Sequence, residues 1–326
     1  MKRFKDVLCV ATPGVELQPA LERAVTLAEN NQASLTVVDV IKPMTSATAM
    51  PEGGPDFIDL QAAIVKAHEQ ELHSQIESYR QRVEIGAKVL AGTPFLEIIR
   101  EVLRNGRDLV IKTPETAEWL NRILGSDDMH LLRKCPCPVW LIKTEAPIPF
   151  QSILAAVDAS ESYPPDELQI RQALNQQVLE MASSLALSEL AELHVVYAWQ
   201  VIGESYMRGA FADTPEEKIT AYVEETRQQH RRALDSLISE LTSNMGPDAL
   251  DYLKPKIHLI KGRARQEIPV LARQIEADLV VMGTVARTGI PGFIIGNTAE
   301  TILNQIDGSV LAIKPRGFAT PVTLEE

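Results

Sequence analysis

The tripeptide Asp108-Leu109-Val110 returns 170 residues later as Asp278-Leu279-Val280. Gly92 recurs as Gly262 at the same offset, while Gly125 recurs as Gly296 and Lys143 as Lys314 one residue further on. Self-similarity at a fixed spacing means one structural unit built twice. Each half alternates short apolar runs with helical patterns. Strands are expected at 7–11, 34–40, 85–90, 108–111 and 139–142, and again at 153–157, 193–198, 257–260, 279–282 and 310–313. Between them, residues such as Leu21, Ala24, Val25 and Leu27, or Ile268, Leu271, Ala272 and Ile275, repeat at helical spacing. A long polar helix is expected from about 56 to 82, a helix near 167–187 and a long helix near 215–243. Continuous apolar runs are the mark of strands buried on both faces, and strands alternating with helices require right-handed crossovers. The expected fold is therefore α/β: two tandem doubly wound, Rossmann-like parallel-sheet domains, residues 1–146 and 147–326. Their connector, 144–150, is short and proline-bearing, which holds the copies close.

The chemistry concentrates after the run 279–282. Gly283-Thr284-Val285-Ala286-Arg287-Thr288-Gly289 forms a glycine loop, and Gly296-Asn297 opens a helix reaching Leu303. Strand, loop and helix N-terminus bring free backbone N–H groups and the helix dipole together as an anion cradle. This segment resembles the nucleotide-binding motif of the universal stress protein family, G-x-x-G-x9-G-S/T. Gly283 and Gly296 hold the first and third glycine positions, Ala286 stands at the second, and Asn297 replaces the Ser or Thr. In that family the loop wraps the ribose and phosphates of ATP, and an Asp ending the domain's first strand reads the adenine. Asp158, after 153–157, matches that position.

The resemblance spans nearly the whole chain. It is closest to tandem, E-type members, on Met129-His130-Leu131-Leu132-Arg133-Lys134-Cys135-Pro136 and on Gly296-Asn297-Thr298-Ala299-Glu300. It implies nucleotide contacts from Asp158, Met282, Gly283, Arg287, Gly296, Asn297 and Thr298, with ATP and Mg²⁺ as ligand and no other cofactor. It also implies a stress-response role in the cytoplasm. Single-domain members dimerise through their last strands, so 139–142 and 310–313 are expected to pair as an internal pseudo-dimer; further self-association is left open.

The copies are not chemically equivalent. In the first, Lys112 replaces Gly283, Thr12 replaces Asp158, and Gly125-Ser126 is followed by Asp127 and Asp128. Ser126 as N-cap and two early acids suit the helix dipole but repel a phosphate, so this copy reads as structural. The second has no acid in its loop or at 297–299, and Arg263, Arg265 and Arg287 lie on the carboxyl side of its strands. Arg287 either reaches phosphates or is a solvated loop charge. Asn297 with Glu300 also fits an N-cap and its box partner, and Asp158 also fits a turn. Where glycine is needed for a positive φ, Ala286 costs about 1 kcal/mol.

A net charge of −12 without basic clusters argues against a nucleic-acid partner, and no apolar run approaches the roughly 20 residues of a membrane span. Of the three cysteines, Cys9 is expected to be a buried, inert thiol. Cys135-Pro136-Cys137 lacks a second pair or a histidine cluster, so it too reads as structural. The histidines are scattered: His68 and His230 are expected in solvent on long polar helices, and His130 in helix packing. Loops 43–55, with Met44, Met50, Gly53 and Gly54, and 200–214, with Ile202, Met207 and Phe211, read either as lids lining a pocket or as surface excursions. No G-x-S-x-G, H-E-x-x-H or Walker lysine loop is present. Binding of an adenine nucleotide without turnover is the leading expectation. A different, partly apolar ligand and slow nucleotide hydrolysis are the alternatives.

Overall fold

The computed structural model describes residues 4–43, 57–115, 127–209, 214–244, 252–284 and 295–324. In the first half the strands are β1 (Asp6–Ala11), β2 (Ser34–Ile41), β3 (Ile85–Ala91), β4 (Leu109–Lys112) and β5 (Val139–Leu141). The second half supplies β6 (Ser152–Ala156), β7 (Glu192–Trp199), β8 (Lys256–Lys261), β9 (Leu279–Gly283) and β10 (Ser309–Ile313). They form one sheet in the order β3-β2-β1-β4-β5-β10-β9-β6-β7-β8. Neighbours run parallel everywhere except at β5 and β10, which pair antiparallel with Leu311 opposite Trp140. The two halves thus mirror each other about this seam, as expected.

The helices are α1 (Gln18–Asn31), α2 (Phe57–Ile76), α3 (Pro94–Asn105), α4 (Asp127–Lys134), α5 (Pro165–Glu189), α6 (Glu204–Met207), α7 (Glu216–Asn244), α8 (Ala264–Gln274) and α9 (Asn297–Leu303). They sort to the two faces. Leu21 and Val25 of α1, Leu72 of α2, Val178 of α5 and Leu234 of α7 share one core with the alternate strand residues Cys9, Val37, Ile111, Ile153 and Val281. Ile99 of α3, Leu131 of α4, Leu271 of α8 and Ile302 of α9 pack on the other face, against Leu8, Val38, Val110, Leu154 and Val280. Each core runs across both halves, as strand alternation between faces requires.

The repeated Asp-Leu-Val has a structural purpose. Asp108 accepts the backbone N–H of Lys5 at 2.7 Å and of Asp6 at 3.2 Å, satisfying donors at the start of β1. Asp278 does the same for Gln151 at 2.7 Å and Ser152 at 3.0 Å before β6. Side-chain ties cross between the halves as well. Arg23 is buried, donates to Glu189 and to the carbonyl of Pro147, and lies 3.4 Å over the centre of the Phe150 ring. Segment 200–214 is not wholly irregular, since α6 forms within it.

Candidate functional site

In a doubly wound sheet, ligands enter where the chain order reverses, at the carboxyl ends of the strands. In the second domain that point lies between β6 and β9, which are neighbours although the chain runs β6, β7, β8 before returning. A cleft of about 590 Å³ opens there, lined by Asp158 after β6, by Met282 and Gly283 at the end of β9, and by Gly296 and Thr298 at the start of α9. Five of the seven expected contacts are therefore brought to one place. Asn297 is exposed and is not among the lining residues. Arg287 and Ala286 fall outside the described residues, as do Met44, Met50, Gly53, Gly54, Gly125, Ser126 and Phe211.

Asp158 is tightly organised. Its Oδ2 accepts Arg171 Nη1 at 2.8 Å and the Tyr163 hydroxyl at 2.8 Å, and its Oδ1 accepts the Ser160 N–H at 3.2 Å. Asn175 of α5 clamps the backbone of Asp158 from both sides, accepting its N–H at 3.0 Å and donating to its carbonyl at 2.7 Å. Arg171 also bonds Glu167 and lies 3.7 Å over the Tyr163 ring. Burial first, and then the Asp158 charge, push the Tyr163 hydroxyl up to about 12, so it stays a donor at neutral pH. With Arg263 and Arg265, three arginines line the cleft against one carboxylate, a local balance that favours an anion despite the acidic chain.

Gly283 is needed for packing as well as for access. A Cβ there would lie 2.5 Å from Leu174 Cδ2 and 3.0 Å from its Cγ, so α5 presses against the bare backbone at this point. The Gly296 N–H is used internally, donating to the Thr284 carbonyl at 3.1 Å and closing the two ends of the glycine loop on each other. Gly296 precedes α9 without any side-chain cap, so the expected Asn297–Glu300 capping box does not form. Glu300 Oε1 instead accepts Arg133 Nη2 of the first domain at 2.8 Å. The seam brings a full positive charge within reach, and a charge-assisted bond outweighs a neutral backbone donor.

The far wall was not foreseen. Tyr197, Trp199 and His230 line the cleft. The Tyr197 hydroxyl meets His230 Nδ1 at 2.6 Å, and the Trp199 and His230 rings lie 5.4 Å apart. His230 is therefore not simply solvated: α7 lays it against β7, and burial depresses its basicity. His68 is also partnered, its Nδ1 bonding Asp39 Oδ2. Asp39 and Tyr197 hold the same place on β2 and β7, five residues on from the register partners Ser34 and Glu192. Each half thus joins a strand acceptor or hydroxyl to an imidazole on its long helix. The sequence held the two histidines but no signal of their strand partners. His194 and His258 are not isolated either, stacking 5.2 Å apart on adjacent strands; His130 packs against Phe95, as expected.

The first domain differs at the corresponding strand ends, where the register sets Lys112 at the place of Met282 and Thr113, not Lys112 as expected, at that of Gly283. Lys112 is buried and its Nζ lies 2.5 Å from Asp128 Oδ1, while Asp128 Oδ2 accepts the Glu115 N–H at 2.9 Å. Thr12 donates to the Thr113 carbonyl at 2.8 Å, tying the ends of β1 and β4. Of the two acids expected to repel a phosphate, Asp128 is held in a buried ion pair with Lys112. A cleft of about 420 Å³ does remain beside Thr12, but Glu16, Asp39 and Glu71 line it.

A family model described as the universal stress protein family matches residues 3–143 and 149–314. The chain is 30% identical to universal stress protein E of Escherichia coli K12, covering all of this chain and 99% of that protein. A homologue from Haemophilus influenzae is 28% identical over 96% of this chain and 98% of its own length. Among solved structures, a functionally unknown protein from Pseudomonas aeruginosa PAO1 superposes with a TM-score of 0.67 at 25% identity, covering 96% of this chain and 94% of that one. A universal stress protein from Archaeoglobus fulgidus shares the fold at 17% identity, with a TM-score of 0.60 over 95% of this chain and 98% of that one.

Proposed function

Because this chain belongs to the universal stress protein family, as two tandem copies, we propose that its second domain binds ATP or a related adenine nucleotide and that its first domain does not. The asymmetry of the two crevices carries this reading. At one switch point an open cleft gathers Asp158, Gly283, Gly296 and Thr298 beside three arginines; at the other, Thr12 stands for Asp158, Glu16, Asp39 and Glu71 line the cleft, and Lys112 is buried against Asp128. Asp158 would face the base, its Oδ1 accepting one backbone N–H and keeping a second acceptor position free. Tyr197, Trp199 and His230 offer ring faces for stacking, and the arginines offset phosphate charge. Among the described residues no cluster of His, Cys, Asp or Glu is placed to hold a metal. Mg²⁺ would therefore arrive on the phosphates and keep most of its water.

The protein would act through ligand-dependent conformation or contact in a cytoplasmic stress response rather than through turnover. Isothermal titration with ATP–Mg²⁺ tests the binding. We expect saturable heat from the wild type and at least a tenfold loss of affinity in Asp158→Ala, about 1.4 kcal/mol. No heat at high micromolar nucleotide, or an unaffected variant, overturns the reading.

One observation favours a second reading. Oδ2 of Asp158 is already taken by Arg171 and Tyr163, and exposed Ile202 joins Tyr197 and Trp199 on an apolar side of the cleft. A partly apolar ligand would leave that network intact. Native mass spectrometry of the purified protein separates the two, since a bound species other than nucleotide supports the second and a nucleotide mass the first.

A further inference from the structure

The three cysteines are all buried, yet their surroundings differ. Cys9 stands alone in β1, and burial pushes its thiol up to about 12. Cys135 and Cys137 lie with their sulfurs 3.5 Å apart, just beyond the C-terminus of α4, where Cys135 N–H donates to Leu131 O at 2.9 Å. Into the same space the second domain inserts Lys314, whose ammonium donates to the carbonyl of Leu132 and to Thr284 Oγ1 at 2.6 Å. Burial lowers this amine to about 7, and the charges of Cys135 and Cys137 act against that fall. Burial alone would raise Cys135, but hydrogen bonding from Cys137 and the Lys314 charge bring it below the ordinary thiol range. A thiolate beside a cation, next to a second thiol, is the setting in which cysteine chemistry becomes reactive.

We propose that Cys135 and Cys137 form an oxidisable dithiol that closes to an intramolecular disulfide on exposure to a hydroperoxide. Closure brings the sulfurs about 1.5 Å nearer to the normal bond length. One thiolate attacks a peroxide oxygen, the O–O bond breaks, and hydroxide leaves as a sulfenic acid forms. The second thiol then attacks that sulfur, the S–O bond breaks, and water leaves. In sum two thiols lose two electrons and two protons, and hydrogen peroxide is reduced to two waters. Cys135 is itself fully covered, as Cys9 is, but its neighbour Cys137 keeps 8% of its surface open to solvent, a way in for so small an oxidant that Cys9 lacks. Lys314 is a positioning residue here, because it stabilises the thiolate without exchanging electrons. Its contact with Thr284 places the pair one side chain from the base of the glycine loop.

Reduced full-length protein is treated with excess hydrogen peroxide and followed by intact mass and thiol titration. The expected product is lighter by two hydrogens, keeps one free thiol, and returns to the starting mass with dithiothreitol. Peptide mapping of this wild-type product is expected to find Cys9 alkylated and the bond between Cys135 and Cys137, which needs no variant to fold. Cys137→Ser should give no two-hydrogen loss and should leave a Cys135 sulfenic acid trapped by dimedone. Lys314→Met should react about tenfold more slowly. Three free thiols under conditions that oxidise a free cysteine peptide overturn the proposal, as does oxidation at Cys9 or closure at the wild-type rate in Lys314→Met.

Discussion

Lys112 and Asp128, sixteen residues apart in sequence, meet at 2.5 Å inside the first domain, both under 10% exposed. By strand register the lysine takes the place of Met282, since Lys112 pairs with Leu141 as Met282 pairs with Ala312, and Thr113 rather than Lys112 stands where Gly283 does. A buried pair of this kind is a weak source of stability when whole but a costly one to break.

Lys112→Met should therefore destabilise the protein by about 3–5 kcal/mol, because Asp128 is left buried without its cation. Lys112→Met combined with Asp128→Leu should recover most of that loss. Urea denaturation of the four proteins of this cycle measures both terms, and a neutral single variant would show that the pair does not form.

Gly283→Ala should cost about 1–3 kcal/mol by overpacking against Leu174. Leu174→Ala should relieve part of it in the double variant, giving a favourable coupling in thermal melts. If alanine at 283 acts only through a ligand, the ligand-free melting temperature will not move.

Acid stability should reflect the imidazoles. Burial depresses His130, His194, His230 and His258 in the fold. Unfolded histidines then bind more protons as pH falls through about 6.5. Stability should decline over that acidic range, and His230→Phe should flatten part of the slope in urea melts taken between neutral pH and mild acid.

Alkaline stability should reflect Lys314. Its folded value of about 7 lies below the roughly 10.4 of an unfolded lysine. Between those limits the unfolded chain carries the extra proton, so stability should rise with pH by up to about 1.4 kcal/mol per unit. Lys314→Met should lose this rise. An identical slope in wild type and variant would place the amine in solvent.

The architecture was legible because strand burial and helix spacing are local patterns, and because each element could be checked against its copy. The α9 start at Asn297 was readable in the same way, but the matching of Lys112 to Gly283 was off by one, since the register sets Lys112 against Met282 and Thr113 against Gly283. Side-chain partnerships were not. Arg171 reaches Asp158 only because α5 begins after a turn that brings its first coils back over β6. Tyr197 and His230 are 33 residues apart, on elements whose relative rotation no spacing rule reports. Glu300 had a plausible local partner in Asn297, but it found Arg133 across the seam.

The antiparallel join of β5 to β10 spends the backbone groups by which a lone copy would recruit a twin. What is left at the rims are β3 and β8, the first bearing Lys88 and the second Lys256 and Lys261. Charged rims of this sort discourage strand-by-strand growth. Growth of the sheet beyond ten strands is disfavoured on both sides, and each chain offers its two unlike crevices in a fixed ratio of one to one.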